Sequence, residues 1–294
     1  MNAASKTQRG DVRVLLFVFL IALFVGGISA YYLWSGPQEN LDAASGERQD
    51  VGKQESGDKD TGSEKAIAES DKPIGPSFAG HWKDEFSGAT CLPWTVVRPL
   101  QGSVSLTEYP GQLSIQTEVG SIWGKKRDDE LAKLAPNLHV LANPAKSHDS
   151  WQLTTELVEF SPKGQFHQAG LLIYQDDDNY IKFVIQYNTR VKANLGFSYE
   201  RDGQAKANRS IFDLKQPHVW LRVQRHAEVY QAFVSYDGEQ FTPVGEISWS
   251  GQPSHVGLIA KQGDNFLLEK IAARFNFFAF DVLDDATAEP SGGQ

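Results

Sequence analysis

Two antiparallel β-sheets packed face to face are the fold class that this chain predicts for its carboxy-terminal part, and three observations carry the prediction. Short strand-like segments recur at close spacing from Phe78 to Leu283. Turn dipeptides separate several of them, among them Pro110-Gly111, Asp202-Gly203 and Asp237-Gly238. Helical patterning is confined to one short stretch, Asp128 to Leu134, so no helical layer covers a sheet. A closed barrel is the architectural alternative for such strands, and no repeat of propeller length is present.

The elements before the domain follow from composition. Residues 1–13 carry Lys6, Arg9 and Arg13, and an uncharged apolar run extends from Val14 to Trp34. About 20 apolar residues in a helix span the hydrocarbon core. The positive-inside rule keeps residues 1–13 cytoplasmic, and Tyr31, Tyr32 and Trp34 meet the far headgroup level. This predicts one transmembrane signal-anchor helix over 14–34, with the membrane as partner and the carboxy-terminal domain outside the cytoplasm. A cleaved signal peptide, with a small-residue site within Gly26 to Ala30, is the alternative, and it leaves the domain secreted or periplasmic. Residues 35–77 are Gly, Ser, Asp, Glu, Gln and Lys with almost no large apolar side chain, which predicts a disordered acidic linker. Residues 284–294 read as a frayed polar tail.

Within 78–283 the strands fall in order. Ser103 to Thr107 and Gln112 to Gln116 flank Pro110-Gly111, and Trp151 to Phe160 ends at Ser161-Pro162-Lys163-Gly164. Gln168 to Tyr187 is the central hairpin: Leu171, Leu172, Ile173 and Tyr174 form one strand, and Ile181, Phe183, Val184 and Ile185 the other. Asp176, Asp177, Asp178 and Asn179 make its tip, since short polar side chains bond nearby N–H groups and tolerate left-handed backbone. Ile181, Phe183 and Ile185 share the core face, leaving Tyr180, Lys182 and Gln186 on a face expected to be solvated. Gly170 marks a bulge or a close backbone approach. Leu195 to Arg201, Val219 to Val223, Glu228 to Tyr236, Phe241 to Ile247, Val256 to Ile259 and Leu267 to Val282 complete the set.

Charge and cysteine usage exclude several function classes. Lys plus Arg total 28 against 37 Asp plus Glu, which excludes a non-specific nucleic-acid binder. The single cysteine, Cys91, permits no intramolecular disulfide and no thiolate zinc site, and is expected as a small core residue. His139, His167, His218 and His255 lack paired metal spacing and are expected as surface or strand residues. Neither a G-x-S-x-G elbow nor a local Cys and His signature is present. Asn208-Arg209-Ser210 matches a glycosylation sequon, relevant only in a eukaryotic secretory pathway.

The run Gln168-Ala169-Gly170-Leu171-Leu172-Ile173-Tyr174, followed by Asp177, Asp178, Asn179 and Tyr180, resembles the concanavalin A-like lectin and glucanase superfamily. More narrowly it is similar to the accessory sandwich module that follows the propeller in bacterial β-xylosidases and also occurs alone. Asp84-Glu85-Phe86 with Trp94, Pro110-Gly111-Gln112-Leu113, Phe160-Ser161-Pro162, Ser235 to Phe241 and Val256 to Ala260 agree with it. The resemblance implies an all-β, two-sheet antiparallel jelly-roll sandwich. It is much less specific for an activity, because function is argued from a site.

Glucanases of this fold carry a Glu-x-Asp-x-(x)-Glu run, which is absent here. Glycoside hydrolysis needs two facing carboxyls about 5 to 5.5 Å apart for retention, or wider for inversion. Glu156 and Glu159 have the wrong parity for one strand face, and Asp176 and Asp178 sit in a turn. No cofactor is expected, with calcium at Asp176, Asp177 and Asp178 as the one chemically reasonable metal. Tyr174, Tyr180, Lys182, Gln186, Trp220, Arg222 and Gln224 are the candidate carbohydrate-binding residues, expected to project from one sheet. Rings stack on sugar C–H faces while planar polar groups fix hydroxyls. The expected function is a membrane-tethered, non-catalytic module for a polysaccharide or cell-wall glycan. A structural or protein-interaction domain of the envelope is the alternative, in which Tyr and Trp serve only as good strand formers. A glycoside hydrolase is third.

Overall fold

The computed structural model describes residues 78–124, 133–207, 212–264, 267 and 269–283. The expected transmembrane helix, the linker, the tail and the sequon lie outside the described residues, as does most of the expected short helix at Asp128 to Leu134. Among the described residues there is no helix, and all regular structure is strand.

The strands form two sheets. Across the first, in spatial order, run β14 (Thr242–Ser248), β13 (Val229–Ser235), β12 (Val219–His226), β6 (Ser150–Glu159), β16 (Ala272–Val282), β4 (Leu113–Gln116) and β3 (Val104–Ser105), with β1 (His81–Asp84) also paired to β16. Across the second run β10 (Gln204–Ala207), β9 (Lys192–Arg201), β8 (Asn179–Asn188), β7 (Gln168–Asp176), β15 (His255–Lys261), β5 (Leu138–Ala142) and β2 (Thr95–Val97), with β11 (Phe212–Asp213) also paired to β9. Every pairing between these strands is antiparallel. The result is the expected two-sheet jelly-roll sandwich.

One core lies between the sheets. Trp151, Leu153 and Leu157 of β6, Leu221 and Val223 of β12 and Phe275, Phe278 and Phe280 of β16 meet Leu171 and Ile173 of β7 and Ile181, Phe183 and Ile185 of β8, all nearly or fully buried. Each such side chain contributes roughly 1.5–3 kcal/mol of burial relative to exposure. The Trp151 ring lies 5.4 Å from that of Phe280 and 6.1 Å from that of Tyr230, and Tyr230 meets Trp249 edge-on at 6.0 Å. These contacts tie three strands to the segment after β14.

The central hairpin forms as expected, in a register that puts Ile173 opposite Ile181 and Tyr174 opposite Tyr180. At its tip the Asp178 amide donates to Asp176 Oδ1 over 2.9 Å, a local bond that fixes the turn. Gly170 is a close-approach glycine. A Cβ there would fall against the Phe183 carbonyl oxygen, 2.9 Å from Val184 Cα and 3.0 Å from Leu221 Cδ1.

Cys91 departs from its expected place in the core, because it is exposed. The reason is Asp84, which is 1% exposed and organises the following loop. Its carboxylate accepts bonds from the amides of Phe86, Cys91 and Leu92 and from Trp94 Nε1. With those donors turned inward, Leu92 enters the core and the Cys91 side chain faces out. His139 lies on β5, as a surface or strand placement allows, whereas His167 departs from it as a buried residue outside the strands; burial holds both rings below the ordinary histidine range.

Candidate functional site

The seven side chains expected on one sheet divide between two. Trp220, Arg222 and Gln224 lie on β12 of the first sheet, whereas Tyr174, Tyr180, Lys182 and Gln186 lie on β7 and β8 of the second. The cause is strand order. β12 pairs with β6 and β13 rather than beside the hairpin, and no local pattern encodes that choice.

The outward face of the first sheet satisfies itself. Gln224 Nε2 donates to Gln152 Oε1 at 3.2 Å, and Gln152 Nε2 to Asp281 Oδ2 at 3.2 Å. Arg222 Nε reaches Thr154 Oγ1 at 3.2 Å while its guanidinium lies 3.6 Å from the Phe241 ring centroid. Glu156 is held by His218 at 2.8 Å and by Asn276 at 2.7 Å. Trp220 stacks on His218 with ring centroids 4.7 Å apart and lies against Gly238. Its indole is therefore already used within the protein.

The outward face of the second sheet was expected to be solvated, and here the structure corrects the sequence reading. Tyr180 and Lys182 are 0% and 2% exposed. Ile122 and Ala135, from the chain between β4 and β5, pack with Leu138, Val140, Leu172, Tyr174, Tyr180, Val184 and Ile259 into a second apolar cluster over this sheet. Polar groups are buried beside it. Glu200 Oε2 accepts from Tyr180 Oη at 2.8 Å and from the Gly124 amide at 2.9 Å. Burial raises the Glu200 carboxyl above its ordinary range and lifts the Tyr180 hydroxyl further. The Lys182 amine is held well below its ordinary range, first by burial and then by Lys261. Its Nζ lies 4.8 Å from the Trp123 ring centroid and 5.5 Å from that of Tyr180. Among the described residues it makes neither a hydrogen bond nor an ion pair.

Farther along the same face an amide row crosses three strands. Gln168 Nε2 donates to Gln186 Oε1 at 3.0 Å, and Gln186 Nε2 to Asn194 Oδ1 at 3.0 Å. Gln168 Oε1 is buried with no partner among the described residues. Gln186 was legible as an outward-facing residue from parity alone, and Gln168 and Asn194 share that parity. Glu200 and Trp123 were not, since one depends on the β8–β9 register and the other on a loop.

The acidic tip is built into the turn. Arg98 grips Asp177 with two bonds of 2.9 and 3.0 Å, and Tyr174 Oη donates to Asp177 Oδ1 at 3.0 Å. Burial, reinforced by Asp177, pushes the Tyr174 hydroxyl up to about 12. Asp176 serves Asp178 N and Asn179 Nδ2. Among the described residues no group of three His, Cys, Asp or Glu is arranged to hold a metal. Of the carboxyls weighed for hydrolysis, Glu156 is held by His218 and Asn276, Glu159 accepts from Ser161 Oγ at 2.7 Å, and Asp176 is bonded within the hairpin turn.

The family described as "Protein of unknown function (DUF1349)" matches residues 105–282. Similar solved structures include the GH43 BlXynB protein from Bacillus licheniformis, 23% identical with a TM-score of 0.57 over 68% of this chain and 39% of that one. A xylan beta-1,4-xylosidase from Bacillus halodurans is 19% identical with a TM-score of 0.53, covering 72% of this chain and 41% of that one. The Bacteroides ovatus xyloglucan PUL GH43B is 20% identical with a TM-score of 0.55, covering 72% and 42%. At these identities the likeness is one of fold, and this chain spans about two fifths of the length of each of those chains. No curated protein matches this chain.

Proposed function

This chain belongs to the family described as "Protein of unknown function (DUF1349)", and from that premise we propose that it is a non-catalytic carbohydrate-binding module, tethered by residues 14–34 and displayed outside the cytoplasm. The observation that carries the reading is the amide row Gln168, Gln186 and Asn194, in which Gln168 Oε1 is buried and, among the described residues, unpartnered. A buried acceptor without a donor calls for an occupant. Planar amides offer donor and acceptor side by side, the chemistry that fixes sugar hydroxyls. The first sheet offers less, because its polar rows already satisfy one another. The similar structures are named for xylan and xyloglucan, which makes those the first glycans to try.

The test is binding of the full chain, in detergent, to xylans, xyloglucan, glucans and peptidoglycan. Gln186→Ala is expected to weaken the bound glycan at least about tenfold, the loss of one or two hydrogen bonds to a buried polar partner. No binding to any glycan would refute the reading and return the weight to an envelope scaffold, which crosslinked pull-downs would then identify by its protein partner. Protease accessibility of residues 78–283 in intact cells tests the tether: protection from external protease would refute it.

A further inference from the structure

A second part of the same face carries an inference that rests on the carbohydrate reading and makes it more specific. Lys182 and Glu200 stand on neighbouring strands, Lys182 opposite Ser198 and Glu200 opposite Tyr180, so both project outward from the second sheet. They are 2% and 0% exposed. Each influences the other's protonation, yet among the described residues they form no ion pair. Glu200 Oε2 is pinned by Tyr180 Oη and Gly124 N, which fixes the carboxylate plane and leaves Oε1 buried without a donor among the described residues. The Lys182 amine has ring contacts but no acceptor among the described residues.

Opposite groups left apart at a largely buried site are costly, and Glu200 Oε1 forgoes both water and a donor among the described residues. A group that donates to Oε1 while accepting from Nζ satisfies both, and a hydroxyl does so. A carboxylate or sulfate would suit Lys182 but would stand against Glu200, and an ammonium would suit Glu200 but stand against Lys182. Trp123 adds a wall. Its indole lies over the Lys182 amine and is 38% exposed, so part of the ring remains available to a sugar C–H face.

We infer that Lys182 and Glu200 form a hydroxyl seat for a neutral saccharide, with Trp123 as its stacking wall. None of the three is needed for the amide row at Gln168 and Gln186, so the two parts are separable by mutation.

The experiment titrates the full chain with xylo- and cello-oligosaccharides, their mono-O-methyl derivatives and oligogalacturonate. A neutral oligosaccharide is expected to bind, with methylation at one position weakening it tenfold or more. That discrimination disappears in Lys182→Met and Glu200→Gln. Trp123→Ala, at a partly exposed position that leaves the fold intact by circular dichroism, weakens binding at least tenfold. Preference for oligogalacturonate overturns the seat while leaving the carbohydrate reading standing. So does binding that Gln186→Ala abolishes but the three seat variants leave unchanged, for then only a water bridges the pair. If no saccharide binds, both the seat and the reading fall.

Discussion

Lys182→Met is expected to make the domain more stable, and the size of the gain follows from where the side chain sits. The amine is enclosed, close to a second lysine, and among the described residues has no acceptor. Replacing buried charge by an apolar side chain of similar length commonly stabilises by about 1–4 kcal/mol. Against this stands the attraction of the ammonium to the Trp123 and Tyr180 rings, about 0.5–2 kcal/mol. The midpoints of the two ranges leave a net gain of roughly 1 kcal/mol, read as a rise in urea midpoint at unchanged slope for residues 78–283. The pH dependence provides an independent check. Because the folded-state amine lies below its ordinary value of 10.5, the unfolded chain binds a proton that the folded chain has lost between those two points. Stability of the parent protein therefore rises with pH across that window. The penalty is fully present below the folded value, so the advantage of the variant is largest there and closes as pH approaches 10.5. A variant that is less stable than the parent, or an advantage independent of pH, would refute the account by showing that Lys182 has a stabilising partner.

Other consequences follow from single residues. Asp84→Ala strands four donors, of which the Phe86 and Leu92 amides are buried, and should lower unfolding free energy by about 3–5 kcal/mol; a loss below 1 kcal/mol in the same urea assay would contradict that role. Gly170→Ala drives a methyl into the backbone of β8 and should destabilise by about 2–4 kcal/mol, with a matching fall in thermal midpoint. Trp220→Ala should leave glycan affinity within about twofold of the parent, since its ring is engaged with His218 and Gly238; a tenfold loss would move the site to the first sheet. Glycan affinity should fall on acidification at a pH above the ordinary carboxylate value of 4.5, because protonated Glu200 no longer presents Oε1 as a dependable acceptor; Glu200→Gln should remove that pH dependence.

The fold was largely legible because each strand carries its own period. Ile181, Phe183 and Ile185 alternate with Tyr180, Lys182 and Gln186, and the structure puts the first set in the sandwich core and the second on the outward face. The turn at Asp176 to Asn179 was legible for the same local reason. What parity cannot say is which strands lie side by side, and so Trp220 and Tyr180 were grouped together although they occupy different sheets. Nor can it say whether an outward face meets water. Lys182 reads as a solvated strand lysine until Trp123 and Gly124, more than fifty residues earlier, come down beside it and Glu200 arrives from β9. β5 escaped notice because Leu138 to Ala142 is a nearly continuous apolar run flanked by strands on both sides, with no alternation to announce it. The same covering explains why the proposed site is visible only in three dimensions. A polar side chain becomes a binding group when its surroundings withhold the partners it would find in water, and those surroundings are supplied here by segments distant in the chain.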